Sequence, residues 1–310
     1  MIPTLRACKG RNLSGCPFLI VWLRYRPLRE NDVMRLLIVL DRPDTALFTL
    51  KTAGALAERL HADHIRILHP RLADNPAFQT PDEGMPTTGE QQRFAREVTE
   101  RADKLREIAS AWMGPAPAGV RHQPDRQWVE IAGDVRKIAA QEARSADFVI
   151  HGRPRAGDPG YVADAFAGIL YDAEATLVVA PLQDYSSVGR RPVIGWRPSR
   201  ALDNAIAAAM PLLEAAERVT LIIGEHAGTR TKLPEFTDAL ADRGVKIIVD
   251  RFRIDGDGDV GEQIRAHALA ANADLLIMGA YTRPHFLEWL FGGPTQDVFA
   301  HATLPILTHH

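Results

Sequence analysis

The chain has 310 residues, 46% of them hydrophobic and 25% charged, with a formal net charge of -2. Its length predicts about two domains and a core large enough to need neither metal nor disulfide. Near neutrality with 7% aromatic residues argues against a whole-chain nucleic-acid footprint, and the composition excludes disordered, collagen-like and disulfide-scaffold classes.

Residues 1–33 differ from the rest. Arg6, Lys9, Arg11, Arg24, Arg26 and Arg29 face only Glu30 and Asp32. The apolar run Phe18 to Leu23 is shorter than the ~7–15 residues of a secretory core or the ~20 of a membrane helix. We expect a disordered N-terminal extension or a start codon set too far upstream. Cys8 and Cys16 both lie in it, at a spacing that fits no zinc pattern. The cysteine-free body predicts a reducing, cytoplasmic compartment, and no run is long enough to predict a membrane span.

The first domain is expected over residues 34–182. Continuous branched apolar runs predict strands at Leu36–Leu40, Ile65–Leu68, Gln127–Ile131, Phe148–His151 and Leu177–Ala180. Helical spacing predicts helices at Ala46–Leu60, Glu90–Met113, Asp134–Arg144 and Ala163–Asp172, with a Pro-rich loop over Arg71–Gly89. A linker is expected over 183–191 and a second domain over 192–310. There the strands are Val193–Trp196, Val219–Ile223, Lys246–Phe252, Leu275–Met278 and Pro305–Leu307. The helices are Ala201–Ala216, Leu233–Arg243, Gly261–Asn272 and Thr295–His301. Alternating strands and helices imply right-handed crossovers and parallel sheets covered on both faces.

The halves repeat one another. Ala146 to Gly152 matches Ala273 to Gly279, and Ala175 to Leu177 matches Ala302 to Leu304, both at an offset of 127 residues. Leu36 to Asp41 matches Pro192 to Arg197 at an offset of 156, so extra material sits inside the first half.

After the apolar strand Leu275 to Met278, the string Gly279 to Gly293 with Thr295 resembles the universal stress protein family, whose pattern is G-x2-G-x9-G followed by Ser or Thr. The resemblance covers both halves from about Met34 onward. It implies two tandem doubly wound, flavodoxin-like parallel five-stranded α/β sheets of order 3-2-1-4-5. These would pack as a pseudo-dimer through the fifth strands, with further homo-oligomers left open. It also implies a nucleotide site for ATP or a relative, with no metal required, at the carboxyl ends of strands 1 and 4. A crevice opens there because neighbouring connections leave in opposite directions. The expected second-domain site is Arg197, Ile223, Met278, Gly279, Thr282, Gly292, Gly293 and Thr295; the first domain keeps Asp41 and Gly152.

Both sites depart from the family pattern. Thr282 replaces the second glycine, Gly293 stands at the Ser/Thr position, and Arg197 replaces the acid that ends strand 1. In the first half Arg155 falls on the second glycine, and Ala165 and Phe166 on the phosphate-loop pair. Arg197, if it faces the crevice, would select a phosphorylated ligand.

Other motifs are set aside. Gly256 to Gly261 spells G-x-G-x-x-G, but Asp255, Asp257 and Asp259 would repel a pyrophosphate. Those acids do not make a calcium loop, since Val260 and Ala266 occupy positions that need Gly and Glu. His69 and His151 read as structural residues at strand ends, and His309 and His310 as frayed surface residues. The cluster Phe286, Leu287, Trp289, Leu290 and Phe291 reads as packing over the crevice. Standard hydrolase, zincin and P-loop strings are missing.

The sequence therefore predicts a cytosolic, non-enzymatic stress-response module that changes protein-partner binding when a small phosphorylated ligand occupies a crevice, with no nucleic acid or membrane partner. Two alternatives stay open: an interaction scaffold with vestigial sites, and an ATPase or adenylyl-transferring enzyme.

Overall fold

The structure is a computed structural model and describes residues 33–75, 86–114, 123–185, 187–254, 260–280 and 301–310. The expectation of a disordered extension therefore falls outside the described residues, apart from Val33.

In chain order the first half is β1 (Arg35–Val39), α1 (Pro43–Leu60), β2 (His64–Leu72), α2 (Thr88–Trp112), β3 (Asp125–Gly133), α3 (Val135–Ala143), β4 (Phe148–Gly152), α4 (Gly160–Ala167) and β5 (Leu177–Ala180). The second is β6 (Pro192–Gly195), α5 (Arg200–Glu214), β7 (Val219–Glu225), α6 (Glu235–Ala241), β8 (Ile247–Arg253), α7 (Val260–Ala270), β9 (Leu275–Gly279) and β10 (Ile306–His309).

Local chemistry sets the boundaries. Pro43 opens α1, where a missing N–H costs nothing, and His61 closes it in the left-handed region at φ 52°. Thr87 and Glu90 form a reciprocal capping box on α2, and Ser199 caps α5 through the Leu202 N–H. The extra material of the first half includes α2, which has 25 residues against seven in its counterpart α6.

The repeated Ala-Asp pair has a structural cause. Asp147 accepts the Arg35 N–H at 2.7 Å, and Asp274 accepts the Arg190 and Arg191 N–H groups at 2.9 and 2.8 Å. Each aspartate thus anchors the start of its half's first strand.

Among the described residues ten strands form one sheet of order β3-β2-β1-β4-β5-β10-β9-β6-β7-β8. Each half has the 3-2-1-4-5 order and is parallel throughout; only the join is antiparallel, with Ile306, Leu307 and Thr308 opposite Val179, Val178 and Leu177. The fifth strands meet as expected, and each supplies the pairing that the other's edge would lack.

Period-two alternation sends Leu36 and Ile38 to one face and Leu37 and Val39 to the other. The two resulting cores run across the join: Ile150, Val178, Leu307 and Ile194 share one, and Val149, Val179, Ile306 and Leu276 share the other.

Two sequence expectations change. The helix expected over Ala163–Asp172 ends at Ala167 and continues as a π turn, Gly168–Asp172. A Cβ at Gly168 would lie 2.3 Å from the Arg136 carbonyl oxygen, so the turn needs glycine to pass α3. His309, expected to fray, is 6% exposed inside β10, paired with Gly279 of β9. The helix expected over Thr295–His301 lies outside the described residues except at its end. No described helix is long and apolar enough to cross a membrane.

Candidate functional site

β1 lies between β2 and β4, and β6 between β7 and β9. The crevice of each half is therefore set at the carboxyl ends of β1 with β4 and of β6 with β9. In both, the glycine ending the fourth strand sits against the start of the helix that follows the first strand. A Cβ on Gly152 would meet Thr49 Oγ1 at 2.9 Å and Arg42 Nη2 at 3.3 Å. A Cβ on Gly279 would meet the Leu202 backbone nitrogen at 2.8 Å and Ser199 Oγ at 3.1 Å. Gly279 is thus pressed by a backbone atom of α5, and Gly152 by side chains at and just before α1. Gly279→Ala is expected to cost about 1–3 kcal/mol through overpacking, read as a lower denaturant midpoint. A wild-type midpoint would show that α5 yields freely.

The first-half crevice holds a buried charged network. Asp41 and Arg42 are 2% and 4% exposed, and His151 is fully buried. Arg42 donates from Nε to Asp41 Oδ1 at 3.1 Å, and from Nη2 to the carbonyls of Gly152 and Arg153 at 3.2 and 3.1 Å. Its Nη1 pairs with Asp158. His151 donates Nε2–H to Asp41 Oδ2 at 2.9 Å and sets its ring edge against Phe166, 5.9 Å between centroids. Arg155 holds Asp158 from the other side, at 3.1 Å from Nε and 3.0 Å from Nη2.

Burial would raise the Asp41 pKa, but His151 and then Arg42 outweigh it and hold the carboxyl at about 2. Asp41, the acid kept from the family pattern, is thus satisfied within the chain. Ala165 and Phe166, aligned with the phosphate loop, are buried in α4.

His69, expected at a strand end, lies inside β2, which runs three residues further to Leu72. It is 1% exposed, donates Nδ1–H to the Leu40 carbonyl at 2.8 Å and stacks on Trp128 at 6.3 Å. Burial pushes its pKa down, so the ring is neutral at pH 7.

The second half is arranged differently. Arg197 is exposed, whereas Asp41 at the matching position is buried. Ile223 and Met278 are 1% and 6% exposed, each within one of the two cores, so they back the crevice rather than stand open in it. Gly279 lies at the carboxyl end of β9. Thr282, Gly292, Gly293 and Thr295 lie outside the described residues, as do Phe286, Leu287, Trp289, Leu290 and Phe291. So do Asp255, Gly256, Asp257, Gly258 and Asp259; α7 begins directly after them at Val260. Among the described residues no group of His, Cys, Asp and Glu could hold a metal.

A family model described as the Universal stress protein family matches residues 195–310. Over that stretch, the second half of the chain matches the universal stress protein family. A universal stress protein from Archaeoglobus fulgidus DSM 4304 is similar in structure, with 14% identity, TM-score 0.65, and coverage of 88% of this chain and 94% of that one. A functionally unknown protein from Pseudomonas aeruginosa PAO1 has 14% identity and TM-score 0.50, over 89% of this chain and 92% of that one. At such identity these likenesses speak for the fold. Both alignments span nearly the whole of either chain. A search of curated protein sequences gave no match.

The first-half crevice contains residues that sequence reading missed, Arg42 and Asp158, with His151 read only as structural. One signal was present. Asp41 lies two residues beyond β1, and His151 sits in the otherwise apolar β4 opposite Val39, the last residue of β1.

Proposed function

We propose that this protein is a tandem universal stress protein, a non-enzymatic cytosolic stress-response module. Its second-half crevice takes ATP or a related nucleotide, and occupancy changes its affinity for a protein partner. The observation that carries the reading is the family match over 195–310, the half that keeps most of the glycine string. Arg197 adds to it: an exposed guanidinium just beyond β6 suits a phosphate, as an acid there would not. In this reading Gly279 lets the ligand near β9, and Gly292, Gly293 and Thr295 supply N–H groups and a hydroxyl to the phosphates. No metal is needed, and no acid–base pair is assigned near the phosphates.

The test is to denature the purified protein and analyse the supernatant by mass spectrometry, then to titrate the emptied protein with ATP. A retained or rebinding nucleotide supports the reading, and Arg197→Ala should abolish that binding while the fold stays intact. Release of diphosphate with turnover would replace the reading by an enzyme. Absence of both retention and rebinding would leave the scaffold reading, which one observation favours: the first-half crevice is already filled by Arg42.

A further inference from the structure

We infer that the first-half crevice is a guanidinium-binding site that the chain fills in cis with Arg42. This goes beyond the reading of the second half and stands without it.

The surroundings of the guanidinium are acceptors on every side: the Asp41 and Asp158 carboxylates and the carbonyls of Gly152 and Arg153. The planar fork of arginine reaches all four at once, which an ammonium cannot do. The cage is itself braced. His151 fixes Asp41 at 2.9 Å, and Arg155 fixes Asp158 through its backbone N–H at 2.7 Å as well as its side chain.

The guanidinium occupies the space beside Gly152 that an outside ligand would need. Arg42 Nη2 and the Thr49 hydroxyl stand 3.3 and 2.9 Å from where a Cβ would be. Removing the arginine would not expose a phosphate site, because two carboxylates and two carbonyls repel an anion. The emptied cage takes a small alkylguanidinium cation. The matching residue of the second half is Pro198, which has no charge to place. The two crevices are thus chemically opposite, one closed around an internal cation and one carrying an exposed Arg197.

The test is chemical rescue of Arg42→Ala in the full chain. Ethylguanidinium chloride at low millimolar concentration should raise its Tm saturably by several degrees, while sodium chloride and tetramethylammonium chloride do not. Wild type should show no such rise, since its cage is filled. Adding Asp158→Asn to Arg42→Ala should abolish the rescue. If Arg42→Ala does not fold by itself, the readout becomes soluble recovery on refolding with ethylguanidinium against sodium chloride. No rescue in either format, or an equal rise in wild type, would overturn the inference.

Discussion

Replacing Asp41 with asparagine should cost about 3–5 kcal/mol, because it removes one counter-charge from an arginine that is only 4% exposed. The amide keeps the shape of the carboxylate but turns an N–H₂ toward Arg42 or His151, both of which donate to the wild-type oxygens at 3.1 and 2.9 Å. A donor then faces a donor in a dry site. The pH dependence separates this from a plain packing defect. Folding lowers the Asp41 pKa from 3.8 to about 2. The unfolded chain therefore takes up the proton first. The stabilisation is complete above pH 3.8 and is lost as pH falls toward 2, an amount of about 2 kcal/mol. Denaturant midpoints measured from pH 7 down to pH 2 should fall along the acid limb in wild type and fall less steeply in Asp41→Asn. Equal midpoints at pH 7, or parallel acid limbs, would contradict the assignment of Asp41 to the network.

How much of this was legible in the sequence differs between elements. β1, β4 and β9 are nearly continuous apolar runs buried on both faces, interrupted only by Arg35 at the start of β1 and His151 in β4, so the apolar pattern marked them. The edge strands β3 and β8 mix apolar with polar and charged residues and are mostly half-buried, and β3 extends to nine residues where the apolar pattern suggested five. The strand order followed from the family resemblance alone, because local pattern contains no information about which strand lies beside which. The π turn was hidden for a related reason: its cause is the Arg136 carbonyl of another element pressing on Gly168.

The Arg42 cage was the least legible. Its parts, Asp41 with Arg42, Gly152 with Arg153, and Asp158, are separated by more than a hundred residues between the first pair and the rest. They converge only through the β1–β4 pairing. The sequence placed an acid at the end of β1 and read it through the family's ligand; folding gives that acid an internal partner one residue away. His309 misled in the same manner. Position at the chain end suggested fraying, whereas pairing with Gly279 puts it in a sheet interior where burial pushes its pKa down.

The join between the halves makes the second large prediction. Leu307 is fully buried, sits opposite Val178 in the antiparallel pair, and belongs to the core that also contains Ile150 of β4 and Ile194 of β6. Leu307→Ala should cost about 2–5 kcal/mol through lost burial and the cavity left behind. The distribution of that loss is the informative part. If the halves were independent units joined by a linker, the variant would weaken the second half and leave amides of β1 and β4 protected as before. A core shared across β5 and β10 instead couples them. Hydrogen exchange should then show faster global opening of β1 and β4 in the first half and of β6 and β9 in the second, by similar factors, with one unfolding transition. Two separated transitions, or protection lost on one side alone, would show that the ten-stranded sheet does not unfold as one cooperative body. Cooperative loss would mean that Arg42 in one crevice and any ligand in the other act on the same folding equilibrium, so that occupancy of the second half would stabilise both.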